Sequence, residues 1–323
     1  MALNIILLLA GMGLLVKGAD WFVSGSGAIA KALKIPPLII GLTLVSMGTS
    51  APEASVSINS AVNGMSDMSL GNVVGSNIFN TLFILGISAL IVPLSIGRDI
   101  KRFDIPVMVC IYALLILFAF VITPLKIDIF ESVTLLVLFV SYTVFLILRA
   151  KKSSKALVGN EETSQPTETE KKKEKPIWLS VILAAVGLAG VIFGGDMVVD
   201  NASDIAKAAG MSETLVGLTI VAVGTSLPEL VTSVVASVKK ENDIAVGNVI
   251  GSDIFNIIFI LGLSSSINAL TLERSALTDM LVMLCSGIAV LLIALFSKKM
   301  QRWQGALAVL LYVGYLAYII IRN

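Results

Sequence analysis

The chain has 323 residues, 56% of them hydrophobic and only 14% charged, with a net charge of +1 and a mean hydropathy of +0.95. A soluble domain carries about 25% charged residues, so this composition excludes an ordinary soluble fold and indicates an integral membrane protein. The near-neutral charge, without a basic face carrying interleaved aromatics, gives no footing for a nucleic-acid partner, and the absence of histidine removes imidazole metal sites and histidine acid–base chemistry.

Apolar runs of about 20 residues, enough to cross a hydrocarbon core, recur along the chain. They predict ten spans, near residues 3–23, 37–61, 70–92, 104–123, 128–148, 177–198, 213–237, 244–265, 278–296 and 303–321. The runs are longer than soluble strands and lack period-2 alternation, so the expectation is helices and not a barrel. The first run has no basic n-region and no A-x-A cleavage site, and reads as a span and not a signal peptide. Cys110 and Cys285 lie inside spans and read as small hydrophobes, not a disulfide. Trp21, Trp178 and Trp303 fit interface anchors.

Between spans five and six, residues 149–176 (RAKKSSKALVGNEETSQPTETEKKKEKP) are polar and charged. Such a stretch cannot bury a core and is expected to be a disordered linker. It divides the chain into residues 1–148 and 177–323, five spans each. If the linker is cytoplasmic, the inner loops hold 18 of the 23 Lys and Arg residues, and both termini face outward. The localisation expected is the cell membrane.

The two halves repeat each other at an offset of 176. GLTLVSMGTSAPE at 41–53 returns as GLTIVAVGTSLPE at 217–229, identical at nine of thirteen positions, and GNVVGSNIFNTLFILGIS at 71–88 returns as GNVIGSDIFNIIFILGLS at 247–264. An odd number of spans per half sends the second copy across the membrane in the opposite direction. The expected fold is therefore an all-α polytopic membrane protein of ten transmembrane helices, built as two inverted-topology repeats. Secondary transporters built this way hold their site near the midplane, at the repeat interface.

Each repeat sets a glutamate, Glu53 or Glu229, in an apolar segment. A buried acid at a helix centre costs roughly 3 kcal/mol, which a bound cation or proton can offset. Pro52 and Pro228 cannot donate to the carbonyls of Gly48 and Gly224, so spans two and seven are expected to be broken helices that free backbone oxygen. Ser46, Thr49, Ser50 and Glu53 can share one helical face. Asn72, Ser76 and Asn80 are spaced by four, as are Asn248, Ser252 and Asn256. Oxygen ligands without sulfur or nitrogen suit a hard cation such as Ca²⁺. Protonated helix glue for the glutamates, and helix packing for the hydroxyls and for Asn72 and Asn248, are the alternatives. Asp253, opposite Asn77 in the repeat, is expected off the main site face, bearing on the site's edge or on a proton. Asp20 and Asp196 read as solvated acids near span ends. Glycines of spans one and six (Gly11, Gly13 and Gly18; Gly187, Gly190, Gly194 and Gly195) permit close sliding contacts.

GTSAPE with GNVVGSNIFN, and GTSLPE with GNVIGSDIFN, resemble the α-repeats of the Ca²⁺:cation antiporter superfamily, and most closely its prokaryotic Na⁺/Ca²⁺ exchangers. The resemblance covers nearly the whole chain. It implies ion ligands at Thr49, Ser50, Glu53, Ser76, Asn80, Thr225, Ser226, Glu229, Ser252 and Asn256, with backbone carbonyls at the positions of Ser46 and Ala222. It implies Ca²⁺ between the two glutamates, Na⁺ at overlapping sites, and spans one and six sliding to switch access. Asn80 and Asn256 stand where some relatives carry aspartate, which argues against K⁺ co-transport and leaves the Na⁺ stoichiometry open. Gly75 and Gly251 stand where the H⁺/Ca²⁺ branch often carries a glutamate. The linker is too short for the Ca²⁺-sensing domains of animal exchangers.

The function expected is a Na⁺/Ca²⁺ antiporter that exports Ca²⁺ by alternating access, working as a monomer in the lipid bilayer, with no resident cofactor and no enzymatic activity. An H⁺/Ca²⁺ antiporter on the same scaffold and a cation channel are the alternatives.

Overall fold

A computed structural model describes residues 2–161, 176–211, 220, 222–297 and 299–322. Among these, eight helices are long and apolar enough to cross a membrane. They are α1 (Ala2–Ala32), α4 (Ser66–Ile91), α5 (Ile100–Ile122), α6 (Ile129–Glu161), α7 (Ile177–Ala208), α9 (Asn242–Ile267), α10 (Ala276–Phe296) and α11 (Arg302–Arg322). Shorter helices carry the first repeated motif: α2 (Pro37–Thr49) and α3 (Ala51–Val62) in one half, and the turn Ala222–Gly224 with α8 (Leu227–Val238) in the other. Residues 212–219 and 221, where the seventh span was expected to begin, lie outside the described residues.

The break in the second span falls where the proline chemistry requires it. Ser50 leaves helical geometry (φ −81°, ψ 9°), and α3 restarts with Pro52 in its first turn. Ser226 does the same (φ −92°, ψ 8°) ahead of Pro228 and α8. Proline fits a first turn because its missing N–H would have no partner there. The bounds of α3 and α8, and of α4 and α9, recur at the 176-residue offset of the sequence repeat. So do the left-handed residues that close α1 and α7, Lys34 (φ 53°) and Gly210 (φ 94°).

The fifth helix corrects one expectation. It does not end at 148 but continues to Glu161, so the first part of the expected linker is helical. Arg149, the first residue past the expected end, is anchored to the core: both of its contacts with the buried Asp104 carboxylate on α5 are 3.0 Å, and Tyr142 donates to the same group at 3.3 Å. The rest of that stretch, 162–175, lies outside the described residues. A matching clamp joins α10 and α11, where Arg322 and Tyr315 both meet Asp279.

The core sits around α4 and α9, packed between α5, α10 and the inner faces of α6 and α11. Phe79 and Phe83 stack at 4.9 Å under Tyr312, and Phe255 and Phe259 stack at 4.8 Å under Phe139. Two short antiparallel ribbons tie the halves together. Leu94–Ser95 (β1) pairs with Lys299–Met300 (β4), and Lys126–Ile127 (β2) with Leu270–Thr271 (β3). β1 follows the C-terminal end of α4, whereas β3 packs against that helix's N-terminal part, so the ribbons close opposite ends of the bundle.

α1 and α7 pack backbone to backbone along one side. A Cβ on Gly18 would lie 2.6 Å from Val191 N, and one on Gly25 would lie 2.6 Å from Ala184 N. Gly13, by contrast, has no described residue within 4 Å of where a Cβ would stand. The outer faces of α1, α6, α7 and α11 carry exposed large apolar side chains such as Leu9, Phe130, Phe193 and Leu310. That surface fits a lipid environment. Cys110 and Cys285 are free and lie on this exterior.

Candidate functional site

Both glutamates are buried in the middle of the bundle, at 1% and 0% exposure for Glu53 and Glu229. Each occupies the first turn of its short helix, where the positive end of the helix dipole favours a carboxylate. Each is also tied to the helix start that carries the other. Ser226 Oγ donates to Glu53 Oε1 at 2.8 Å, and Ser50 Oγ donates to Glu229 Oε1 at 2.9 Å. Position 50 is the repeat equivalent of 226, and 53 of 229. The two contacts exchange equivalent positions of the sequence repeat, each half holding the glutamate of the other.

The other expected residues gather around this pair. Ser76 Oγ lies 3.2 Å from Ser226 Oγ. Thr49 Oγ1 donates to Asn248 Oδ1 at 3.0 Å. The Ser46 carbonyl accepts from Ser252 Oγ at 3.4 Å. Asn80 and Asn256 are both buried where α4 crosses α9. Thr225 is half-buried and lines a cavity described below. Ala222 opens the short turn that precedes Thr225.

Asn72 and Asn248 serve as ties between helices. Asn72 Nδ2 donates to the Glu53 carbonyl at 3.2 Å and to Ser57 Oγ at 2.8 Å, and Asn248 Nδ2 donates to the Glu229 carbonyl at 3.4 Å and to Ser233 Oγ at 2.9 Å. These bonds lock each short helix to the long helix that follows it.

Four acceptor oxygens in the site are buried with no hydrogen-bond partner among the described residues: Glu53 Oε2, Glu229 Oε2, Asn80 Oδ1 and Asn256 Oδ1. Burying an unpaired oxygen is costly, and a carboxylate oxygen more so. The four form two repeat-related pairs, all acceptors, on a structure that elsewhere satisfies these same side chains. A desolvated cation is the chemical complement of such a set. The described residues contain no cluster of three or more His, Cys, Asp or Glu, so oxygen from amides and hydroxyls must supply most of any coordination shell.

A cavity of about 650 Å³ reaches from Asp67, Glu273 and Arg322 at one end of the bundle down to Ser76 and Thr225. It runs past Gly71, Asn72 and Gly75 on α4 and past Tyr312 and Tyr315 on α11. A second groove of about 720 Å³, between α1 and α8, is lined mainly by apolar side chains and lies away from the glutamates.

Asp253 stands behind the amide of Asn80, off the group of oxygens described above. It is fully buried and receives Asn80 Nδ2 at 3.0 Å and Thr81 Oγ1 at 2.8 Å from the opposite half. Thr81 escaped attention in the sequence because its repeat equivalent is Ile257, so the comparison of copies that picks out the other polar residues passes over it. Asp20 is half-exposed and paired with Lys17 at 3.1 Å and Lys239 at 2.5 Å, in keeping with a solvated acid.

A family model described as sodium/calcium exchanger protein matches residues 3–148 and 179–321. The inner membrane protein YrbG of Escherichia coli is 35% identical over 323 residues, covering 99% of this chain and 96% of its own length. The sodium/calcium exchanger MaX1 of Methanosarcina acetivorans is 32% identical over 341 residues, covering 97% of each chain. A solved structure of the sodium-calcium exchanger NCX_Mj superposes with a TM-score of 0.82 at 32% identity, over 98% of both chains. Matches of this length reach both repeated motifs, both glutamates and the helices between them, and by them the chain belongs to the sodium/calcium exchanger family.

Proposed function

We infer that this protein is a secondary antiporter that exchanges Na⁺ for Ca²⁺ across the membrane by alternating access, with Ca²⁺ leaving the cell. The observation that carries this reading is the set of four unpartnered buried oxygens on Glu53, Glu229, Asn80 and Asn256. Ca²⁺ takes about six to eight oxygens with flexible geometry. The carboxylates and the two amide oxygens supply the centre of such a shell. Thr49, Ser50, Ser76, Thr225, Ser226 and Ser252, with the carbonyls of Ser46 and Ala222, are the candidates for the remainder and for the overlapping Na⁺ positions.

Coupling follows from charge. Two carboxylates at the midplane can be neutralised by one Ca²⁺ or by Na⁺ ions, but not by both at once. Moving the site empty would carry uncompensated charge through the apolar interior, which suppresses leak.

The architecture proposed is ten spans in two inverted halves. The reciprocal Ser50–Glu229 and Ser226–Glu53 contacts, and the ribbons at opposite ends of α4, support a two-fold axis lying in the membrane plane. The loop charges orient both termini outward and the linker inward. The cavity mouth at Asp67 and Glu273 then faces the exterior, and this conformation is open outward. The glycine-faced packing of α1 on α7 suits a pair that moves as one body against the core. The protein acts as a monomer, without a resident cofactor.

Proton coupling is the competing reading. The places where that branch often carries a glutamate are Gly75, which lines the cavity and has room for one but carries none, and Gly251, where a Cβ would lie 2.7 Å from Ser46 Oγ and 2.8 Å from Leu42 Cα. At Gly251 no carboxylate fits, and at neither place does this chain supply one. The test is Ca²⁺ uptake into sealed vesicles containing the purified protein. An outward Na⁺ gradient at equal pH is expected to drive uptake, and a pH gradient without Na⁺ is expected to drive none. Uptake that needs only the pH gradient would overturn Na⁺ coupling, and flux indifferent to any counter-ion would favour a channel.

A further inference from the structure

An asparagine side chain has two ends, a carbonyl oxygen and an NH₂ group, and only the oxygen can hold a cation. Asn80 and Asn256 both have unpartnered Oδ1 atoms, so their NH₂ ends must be held elsewhere. At the crossing of α4 and α9, Asn80 Nδ2 donates to Asp253 Oδ1 at 3.0 Å, and Asn256 Nδ2 donates to Asn77 Oδ1 at 3.0 Å. Positions 77 and 253 are repeat equivalents, as are 80 and 256. Each half therefore orients the asparagine of the other half.

Both orientations trace back to Asp253. A carboxylate only accepts, so the end of Asn80 that meets it must be the NH₂. The main-chain carbonyl of Asp253 also only accepts, and it takes Asn77 Nδ2 at 2.9 Å. That turns the oxygen of Asn77 towards Asn256, whose facing end must again be the NH₂. Thr81 holds the second carboxylate oxygen at 2.8 Å, and the Tyr112 hydroxyl lies beside the same group. With Asp253 accepting at both carboxylate oxygens, these donors and acceptors are mutually consistent, and both amide oxygens are left facing away from their orienting partners.

We propose that Asp253 and Asn77 are positioning residues that fix the amide orientation of Asn80 and Asn256, so that both present oxygen and not NH₂ to the transported cation. This rests on the exchange function proposed above. Neither residue needs to touch the ion.

The decisive experiment measures the half-saturating Ca²⁺ concentration for Na⁺-driven uptake in vesicles. Wild type is compared with Asp253→Leu, Asp253→Asn, Asn80→Asp and the double variant Asp253→Asn/Asn80→Asp. Loss of a group that orients a metal ligand typically costs about 10- to 100-fold in affinity or activity, and that range is expected for Asp253→Leu. Asp253→Asn is expected to cost less, because its amide oxygen can still accept from Asn80. Asn80→Asp alone sets two carboxylates against each other and impairs uptake. Adding Asp253→Asn to it restores uptake, because a carboxylate has no wrong end and needs no orienting. The same substitution at 253 thus harms one background and helps the other, a reversal that lost packing would not produce. Should Asp253→Leu fail to fold, the comparison of Asn80→Asp with the double variant decides. A double variant no better than Asn80→Asp alone, or a folded Asp253→Leu with wild-type Ca²⁺ dependence, overturns the positioning role while leaving exchange intact. Wild-type vesicles that take up no Ca²⁺ would overturn exchange itself, and this proposal with it.

Discussion

α4 and α9 carry nearly the same sequence, end at equivalent residues, and stack the same pair of phenylalanines, yet their surroundings differ. On α9 every residue from Ile244 to Phe255 is buried. Gly251 is pressed against Leu42 and Ser46, and Gly247 against Leu38 and Gly41. On α4 the equivalents Gly75 and Gly71 have no described residue within 4 Å of where a Cβ would stand, and both line the cavity that leads to Ser76. Asn248 is fully buried and holds Thr49, whereas Asn72 is half-buried at the cavity wall. One motif, used twice, is packed against its neighbours in one half and lines a cavity in the other. On the exchange function proposed above, such a duplicated chain would expose its site to one side at a time, and exchanging the two surroundings would expose it to the other.

Chemical labelling tests this contrast with the largest effect. In a background with Cys110→Ser and Cys285→Ser, Gly75→Cys is expected to react with a water-soluble thiol reagent applied on the cavity side, and Gly251→Cys to remain unmodified. Equal labelling at both positions would remove the asymmetry. A smaller effect is expected from alanine. Gly251→Ala forces a methyl group into packed backbone and is expected to destabilise by about 1–3 kcal/mol, the usual range for overpacking, read as a lowered thermal midpoint in detergent. Gly75→Ala is expected to leave the midpoint within error of wild type. A stable Gly251→Ala protein would mean that α2 gives way easily, and that the seal on α9 is soft.

Much of this was legible in the chain because duplication filters it. A glutamate, serine or asparagine kept in both copies of an apolar segment stands out, and Pro52 and Pro228 mark where the helices must break. The glycines of α1 and α7 also signalled close contact, although Gly13 makes none. What the chain concealed was tertiary or asymmetric. Asp253 orients Asn80 only because α4 and α9 cross at that level, a fact that no spacing along one helix contains. Thr81 is hidden by its partner Ile257. The step of α6 past residue 148 includes Arg149, which meets the buried Asp104 across the interface, a partner the polar composition of the segment does not reveal. The difference between Gly75 and Gly251 cannot be read from two identical residues in matching motifs, because it belongs to a conformation and not to a composition.

The claim beneath all of this is that Glu53 and Glu229, one from each half, form a single cation site. Equilibrium binding of radioactive Ca²⁺ to the purified protein tests it most directly, in wild type and in Glu53→Gln and Glu229→Gln. One shared site requires one Ca²⁺ per chain, displaced by Na⁺, and lost in either single variant while the protein stays folded and membrane-inserted. Two Ca²⁺ per chain in wild type, or one Ca²⁺ still bound with near-native affinity in each single variant, would contradict it.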